Sequence, residues 1–163
     1  MIFVCVGSRE YQFNRLLIEL DKLVERGEIT EEIFAQIGQS TYIPKHYKFQ
    51  RFINADEFKE YQRKADLIIS HGGTGALIGA LKMGKQVIAV PRLAKFGEHI
   101  DDHQIQVSSV LAEEGYLRCV LDMDDLLKNI RLLKERPITK KYNNKPSKIL
   151  EIIEDFILNE IQH

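Results

Sequence analysis

Six short strand-like runs punctuate the first 121 residues of this 163-residue chain. The first, Met1–Val6, does not alternate with polar residues and reads as a strand buried on both faces. The runs are Met1–Val6, Glu32–Ile37, Tyr47–Ile53, Asp66–Ser70, Gln86–Val90 and Tyr116–Leu121. Helical patterns separate them. Asn14 is expected to cap a helix through Arg26, with Leu16, Leu17, Leu20, Leu23 and Val24 at helical spacing and Gly27 as its stop. Asn54 and Asp56 introduce a short helix through Lys64, with Phe58 and Tyr61 on one face. Further helices are expected over Ala76–Met83, Asp102–Glu114 and Asp122–Arg136, the last with Asp122, Asp124 and Asp125 suited to its dipole. Residues 39–46, with Pro44, read as a polar loop. Strands alternating with helices imply an α/β fold: a parallel sheet with helices on both faces and right-handed crossovers.

Residues 1–136 form the expected α/β domain, 137–148 a polar, basic linker with Pro137 and Pro146, and 149–163 an amphipathic C-terminal helix. That helix either docks on a partner or covers its own sheet. An apolar content of 44% and a net charge of −1 describe a globular chain with no overall basic field for nucleic acid. Cys5 and Cys119 sit in apolar runs and read as core thiols of a reducing compartment. With no signal-peptide pattern and no run long enough to span a bilayer, the expected location is cytoplasmic.

In parallel sheets, ligands sit beyond the carboxyl ends of the strands. Three segments bring chemistry to that rim: Gly7–Asn14, Ser70–Gly75 and Pro91–Gln104. Gly72, Gly73, Thr74 and Gly75 lie between a strand and a helix start, whose free N–H groups and dipole favour an anion. They are expected to hold a phosphate or diphosphate, with Gly7 and Ser8 approaching the same ligand. The alternative is a tight strand-to-helix turn of any α/β domain. Glu98, His99, Asp101, Asp102, His103 and Gln104 carry donors and acceptors for sugar hydroxyls, or form a solvated loop with a helix cap. His71 either touches a phosphate or hydrogen-bonds within its turn. Arg92 either pairs with a phosphate or stays at the surface. His99 and His103 are four apart with no third His or Cys near, so no metal site is expected. Gly73, Gly75 and Gly79 mimic a dinucleotide fingerprint, but no acidic residue ends the next strand.

Three groups of residues carry a family resemblance: Phe3–Ser8 with Phe13–Arg15, the run Ser70-His-Gly-Gly-Thr-Gly75, and Val90-Pro-Arg92 with Phe96-Gly-Glu-His-Ile-Asp-Asp-His-Gln104. The chain resembles the C-terminal domain of glycosyltransferase family 28, the Rossmann-like nucleotide-sugar-binding half of GT-B glycosyltransferases. More narrowly, it resembles the small subunits of two-subunit bacterial capsule and exopolysaccharide transferases. These are similar to the catalytic subunit of the eukaryotic enzyme that adds N-acetylglucosamine to a dolichol-linked oligosaccharide. The resemblance implies a UDP-sugar donor, with uracil among backbone groups near Phe52, Ile53 and Asn54 and diphosphate at Gly72–Gly75. Asp102, His103 and Gln104 would face the sugar. The helix after the glycine turn often carries an acid for the ribose in such enzymes. Gly79 stands at that place here, with Glu98 as the substitute.

The resemblance further implies an inverting hexosyltransferase of galactose or N-acetylglucosamine with no cofactor and no bound metal. A membrane-anchored partner subunit would supply the acceptor half, recruit the chain peripherally to the membrane and present a lipid-linked acceptor. The general base comes from that partner or from Glu98 or His99. A homodimer is the alternative assembly of the isolated chain. The rival functions are a non-catalytic subunit that stabilises or stimulates a transferase, and an unrelated α/β nucleotide enzyme such as an oxidoreductase.

Overall fold

The computed structural model describes residues 1–7, 10–98 and 103–142. The described strands are β1 (Ile2–Cys5), β2 (Ile33–Gln36), β3 (Lys48–Gln50), β4 (Leu67–Ser70), β5 (Gln86–Ala89) and β6 (Arg118–Cys119). The helices are α1 (Asn14–Glu25), α2 (Ala55–Lys64), α3 (Thr74–Lys82), α4 (His103–Glu113) and α5 (Leu126–Glu135). All pairings are parallel, in the order β3-β2-β1-β4-β5-β6. The α/β class, the parallel sheet and its two helical layers are therefore as the sequence implied. The strand order reverses between β1 and β4, the position at which such sheets open a crevice for a ligand.

Each central strand sends successive side chains to opposite faces. Ile2, Val4 and Val6 meet Leu16, Leu17 and Leu20 of α1 and, through the same cluster, Ile130 and Leu133 of α5. Phe3 and Cys5 point the other way, into a layer with Leu77 and Leu81 of α3 and Val107 and Leu111 of α4. Aromatic stacking joins α2 to that face. Tyr61 stacks on Phe34 at 4.0 Å between centroids, and Phe58 meets Phe3 edge-on at 5.2 Å. Phe58 and Tyr61 thus share the buried face expected of them, which fixes how α2 stands over the carboxyl edge.

The differences from the sequence reading have local causes. The edge strands β3 and β6 are shorter than expected, because each has a neighbour on one side only and the ladder ends where the pairing ends. The β2–β3 crossover carries no helix. Its irregular backbone is satisfied by α1 instead: Asn14 Oδ1 accepts from the N–H groups of Thr41 and Tyr42, and the Asp21 carboxylate accepts from Lys45 N–H, His46 N–H and the Tyr42 hydroxyl. Asn14 is accordingly the first residue of α1 and not its cap; its own N–H donates to Gln12 Oε1. A single 3-10 turn over Met123–Asp125, capped by Asp122, precedes α5.

Residues 137–142 run beside the sheet. Ile138 exchanges two hydrogen bonds with the Gln86 side chain, at 2.8 and 2.9 Å, and Tyr142 meets Tyr116 edge-on. The C-terminal helix expected over residues 149–161 lies outside the described residues. Among the described residues, no helix is long and apolar enough to cross a membrane.

Candidate functional site

A cleft of about 590 Å³ opens over the carboxyl ends of β1 and β4, at the reversal of strand order. Its floor comes from the strand ends: Cys5 and Gly7 after β1, Gln36 at the end of β2, His71 after β4 and Arg92 after β5. One wall is the start of α3, with Gly73, Thr74, Gly75, Ala76 and Gly79. The facing wall is Phe52, Ile53 and the stripe Ala55, Phe58, Lys59 and Gln62 of α2. Gln104 at the start of α4 closes the back.

The α3 N-terminus is the cleft's main electrostatic feature. The first bond that closes the helix runs from Leu77 N–H to Gly73 C=O at 3.0 Å, and no side chain caps the helix. The N–H groups of Thr74, Gly75 and Ala76 thus come before the first intrahelical bond. The Thr74 hydroxyl is buried and has no hydrogen-bond partner among the described residues. No carboxylate stands among the described lining residues, while Lys59 and Arg92 bring positive charge. Unspent donors, a helix dipole and a cationic lining suit an anion.

Glycine is required by two close approaches. A Cβ on Gly73 would stand 2.4 Å from His71 Nε2, and one on Gly7 would stand 2.8 Å from the same atom. The imidazole lies between the two glycine turns, with Nδ1 3.2 Å from the Cys5 carbonyl oxygen. Since a carbonyl only accepts, that contact places a proton on Nδ1. His71 therefore both lines the cleft and bonds to the strand end beside it. A Cβ on Gly75, by contrast, would meet nothing within 4 Å. Gly72 turns away from the cleft with φ +84°, packed toward Ser108, Pro91 and Gln104, so its role is to shape the turn.

The other expected site residues divide. Phe52 and Ile53 line the cleft, and Phe52, 50% exposed, offers an aromatic face at its mouth. Asn54 does not: its Oδ1 accepts from Glu57 N–H at 2.8 Å, so its side chain caps α2. Arg92 is buried, not a surface group. Its guanidinium donates to the Val6 carbonyl, and its carbon lies 5.6 Å from the Phe13 ring centroid. The Gln104 amide oxygen accepts from Arg92 N–H at 3.0 Å, so this residue holds the loop after β5 while facing the cleft.

Glu98 corrects the sequence reading most sharply. Its side chain is fully buried outside the cleft, where it takes two bonds from Arg15 at 3.0 and 3.1 Å and one from Leu93 N–H at 3.0 Å. Both its oxygens are engaged by the protein, away from the cleft lining where a base or a ribose ligand would have to stand. Ser8, His99, Asp101, Asp102 and the side chain of His103 lie outside the described residues.

Residues that the sequence reading did not select also line the cleft. Gln36 donates to the carbonyls of Gly7 and Arg51 at 3.1 and 2.7 Å, tying two loops of the rim together. Its place at the last position of a strand was the available signal. Lys59 and Gln62 follow Ala55 and Phe58 at helical spacing, but only the packing of α2 tells which side of that helix meets α3. Burial pushes the Cys5 thiol up to about 11. The thiol is thus a neutral part of the floor at ordinary pH.

Comparison with known proteins agrees with this geometry. The human UDP-N-acetylglucosamine transferase subunit ALG13 is 27% identical over 123 residues, which is 71% of this chain and 10% of that protein. The Yarrowia lipolytica protein of the same name is 29% identical over 94 residues, 55% of this chain and 46% of that protein. The chain thus spans less than half the length of these relatives. The solution structure of an ALG13 superposes with a TM-score of 0.57 at 16% identity, covering 99% of this chain and 96% of that one. Acinetobacter baumannii MurG superposes with a TM-score of 0.58 at 19% identity, covering 96% of this chain and 49% of the other. The glycosyltransferase family 28 C-terminal domain matches residues 1–157, nearly the whole sequence, and the chain belongs to that family.

Proposed function

We propose that this chain binds a UDP-sugar in the β1/β4 cleft and is the donor-binding subunit of an inverting hexosyltransferase. The observation that carries the reading is the uncapped α3 N-terminus, with its unpartnered Thr74 hydroxyl, opening onto a cleft whose described lining holds no carboxylate. A diphosphate seats its oxygens on the N–H groups of Thr74, Gly75 and Ala76, and Lys59 adds charge from the facing wall. The uracil lies on the shelf of Phe52 and Ile53. The sugar then projects toward Gln104 and the loop before α4. ALG13 relatives favour N-acetylglucosamine as the sugar, with galactose as the other candidate.

In the transfer, the acceptor hydroxyl attacks the sugar C1 from the face opposite the leaving group. The bond from C1 to the β-phosphate oxygen breaks, and UDP leaves with the electron pair. Stabilising the charge that develops on that oxygen is the task of the α3 amides. The hydroxyl proton passes to a base supplied by the partner subunit or by His99; Glu98, spent on Arg15, is not that base. The partner is a membrane-anchored chain that supplies the acceptor half and presents a lipid-linked sugar, in capsule or exopolysaccharide assembly. The printed name of the ALG13 relatives, a transferase subunit, supports the need for such a partner.

Calorimetry of the full chain with uridine diphosphate and with NAD tests the donor site. Saturable binding of the first and none of the second is expected; the reverse would assign the cleft to a dinucleotide enzyme. Transfer of labelled sugar from UDP-N-acetylglucosamine to a membrane lipid fraction, in the presence of the partner, tests catalysis. Donor binding with no transfer that depends on this cleft would leave a subunit that only supports another transferase.

A further inference from the structure

Between α2 and α3 the cleft is lined mostly by small or apolar residues, Ala55, Phe58, Ala76 and Gly79, with Lys59 beside them. One buried amide interrupts them. Gln62 is 4% exposed, and its single described hydrogen bond, from Nε2 to the Ala76 carbonyl, is long at 3.5 Å. Its Oε1 has no partner among the described residues. A buried amide left half-used is unfavourable unless a ligand or water completes its bonding. The head group lies across Gly79: a Cβ there would stand 3.8 Å from Nε2 and 3.9 Å from Oε1. The glycine keeps that stretch of wall low, so the amide is the hydrogen-bonding group a ligand meets at this end of the cleft.

We infer that Gln62 reads a ribose hydroxyl of the nucleotide. The inference rests on the nucleotide-sugar reading of the cleft and adds its specificity determinant. With the base on Phe52 and Ile53 and the phosphates at Thr74–Ala76, the ribose must bridge the start of α2 and the start of α3. Its hydroxyl edge then faces into the gap that holds Gln62. An amide both donates and accepts, so it matches a hydroxyl, and a deoxy sugar leaves it incomplete. This discrimination falls to α2, a helix that supplies no glycine motif.

The test measures binding of UDP, 2′-deoxy-UDP and 3′-deoxy-UDP to the full chain by calorimetry. The wild type is expected to prefer UDP to at least one deoxy analogue by about tenfold, the worth of one hydrogen bond. Gln62→Leu should bind all three alike, and Gln62→Glu, which still accepts from hydroxyls, should restore the preference. If the leucine variant fails to fold, the near-isosteric Gln62→Met takes its place. A preference retained in the leucine or methionine variant overturns the inference, as does a wild type that binds UDP without any preference; either leaves the donor-site reading standing. A wild type that binds none of the three overturns that reading and the inference with it.

Discussion

The turn after β4 and the loop after β5 reach the same rim, and both carry polar residues that look available from the sequence. They behave oppositely. In the turn after β4, the N–H groups of Thr74, Gly75 and Ala76 open α3 at the cleft wall with no side chain spent on capping them, and the buried Thr74 hydroxyl has no partner among the described residues. In the loop after β5, Glu98 is consumed by Arg15 and Leu93 N–H, and Arg92 is held by Val6 and by Gln104. The first segment keeps its hydrogen-bonding capacity for a ligand. The second uses its own to hold a long irregular backbone in place. A polar residue at a sheet's carboxyl edge is therefore functional or structural according to what already satisfies it, and residue type alone does not tell which.

Removing Glu98 gives the sharpest contrast. Glu98→Ala leaves the Arg15 guanidinium and Leu93 N–H without their acceptor in a largely dry setting. It should destabilise the fold by about 3–5 kcal/mol, read as a lower urea midpoint. An unchanged midpoint with lost transfer would return Glu98 to the catalytic list and erase the contrast.

The strand floor beneath both segments makes the next prediction. The Cys5 thiol is raised by burial to about 11, so above pH 9 the native state keeps a proton that the unfolded chain releases. Stability present below pH 9 should fall as pH rises toward 11, by about 2–3 kcal/mol from this group. Denaturant titrations at pH 8 and pH 11 read the loss, and Cys5→Ala should reduce it. An equal alkaline loss in that variant would place its source elsewhere, with Tyr42, raised to about 12 by burial and by Asp21, as the next group to examine.

At the open turn, an acid should separate binding from folding. A side chain on Gly75 meets no neighbour within 4 Å, and a carboxylate in the first helical turn suits the dipole. Gly75→Asp should keep or raise the melting temperature while weakening UDP binding by about 2 kcal/mol, roughly thirtyfold. Undiminished affinity would move the anion away from α3. Gly73→Asp is a poorer probe, because its Cβ would collide with His71.

Asn54 is the smallest case and sits between the two behaviours, beside the cleft but turned to its own helix. Asn54→Ala should cost about 1 kcal/mol of stability through the lost α2 cap and leave UDP affinity nearly unchanged. A larger loss of affinity than of stability would make it a nucleotide contact.

Much of the architecture is legible from the residues. Buried parallel strands take continuous apolar runs and surface helices take 3.6-residue periodicity, so the strand and helix sequence from Ile2 to Glu135 follows from local patterns. The glycine turn after β4 is legible for a local reason too: glycines between an apolar run and a helix start can take the positive φ that a tight turn requires, as Gly72 does. The helix-free crossover was less so, because its stability comes from Asn14 and Asp21, 24 to 28 residues earlier in the chain. The same holds for Glu98, whose partner Arg15 lies 83 residues away.

Sequence alone determined what is periodic and local: the α/β class, the helix faces of Phe58 and Tyr61, and a glycine turn at the rim between a strand and a helix start. Tertiary structure decided which polar groups remain for a ligand. Hydrogen-bond satisfaction is a sum over neighbours brought together by folding, and neither the distance from Arg15 to Glu98 nor the approach of Gln62 to Gly79 is written in any stretch of consecutive residues.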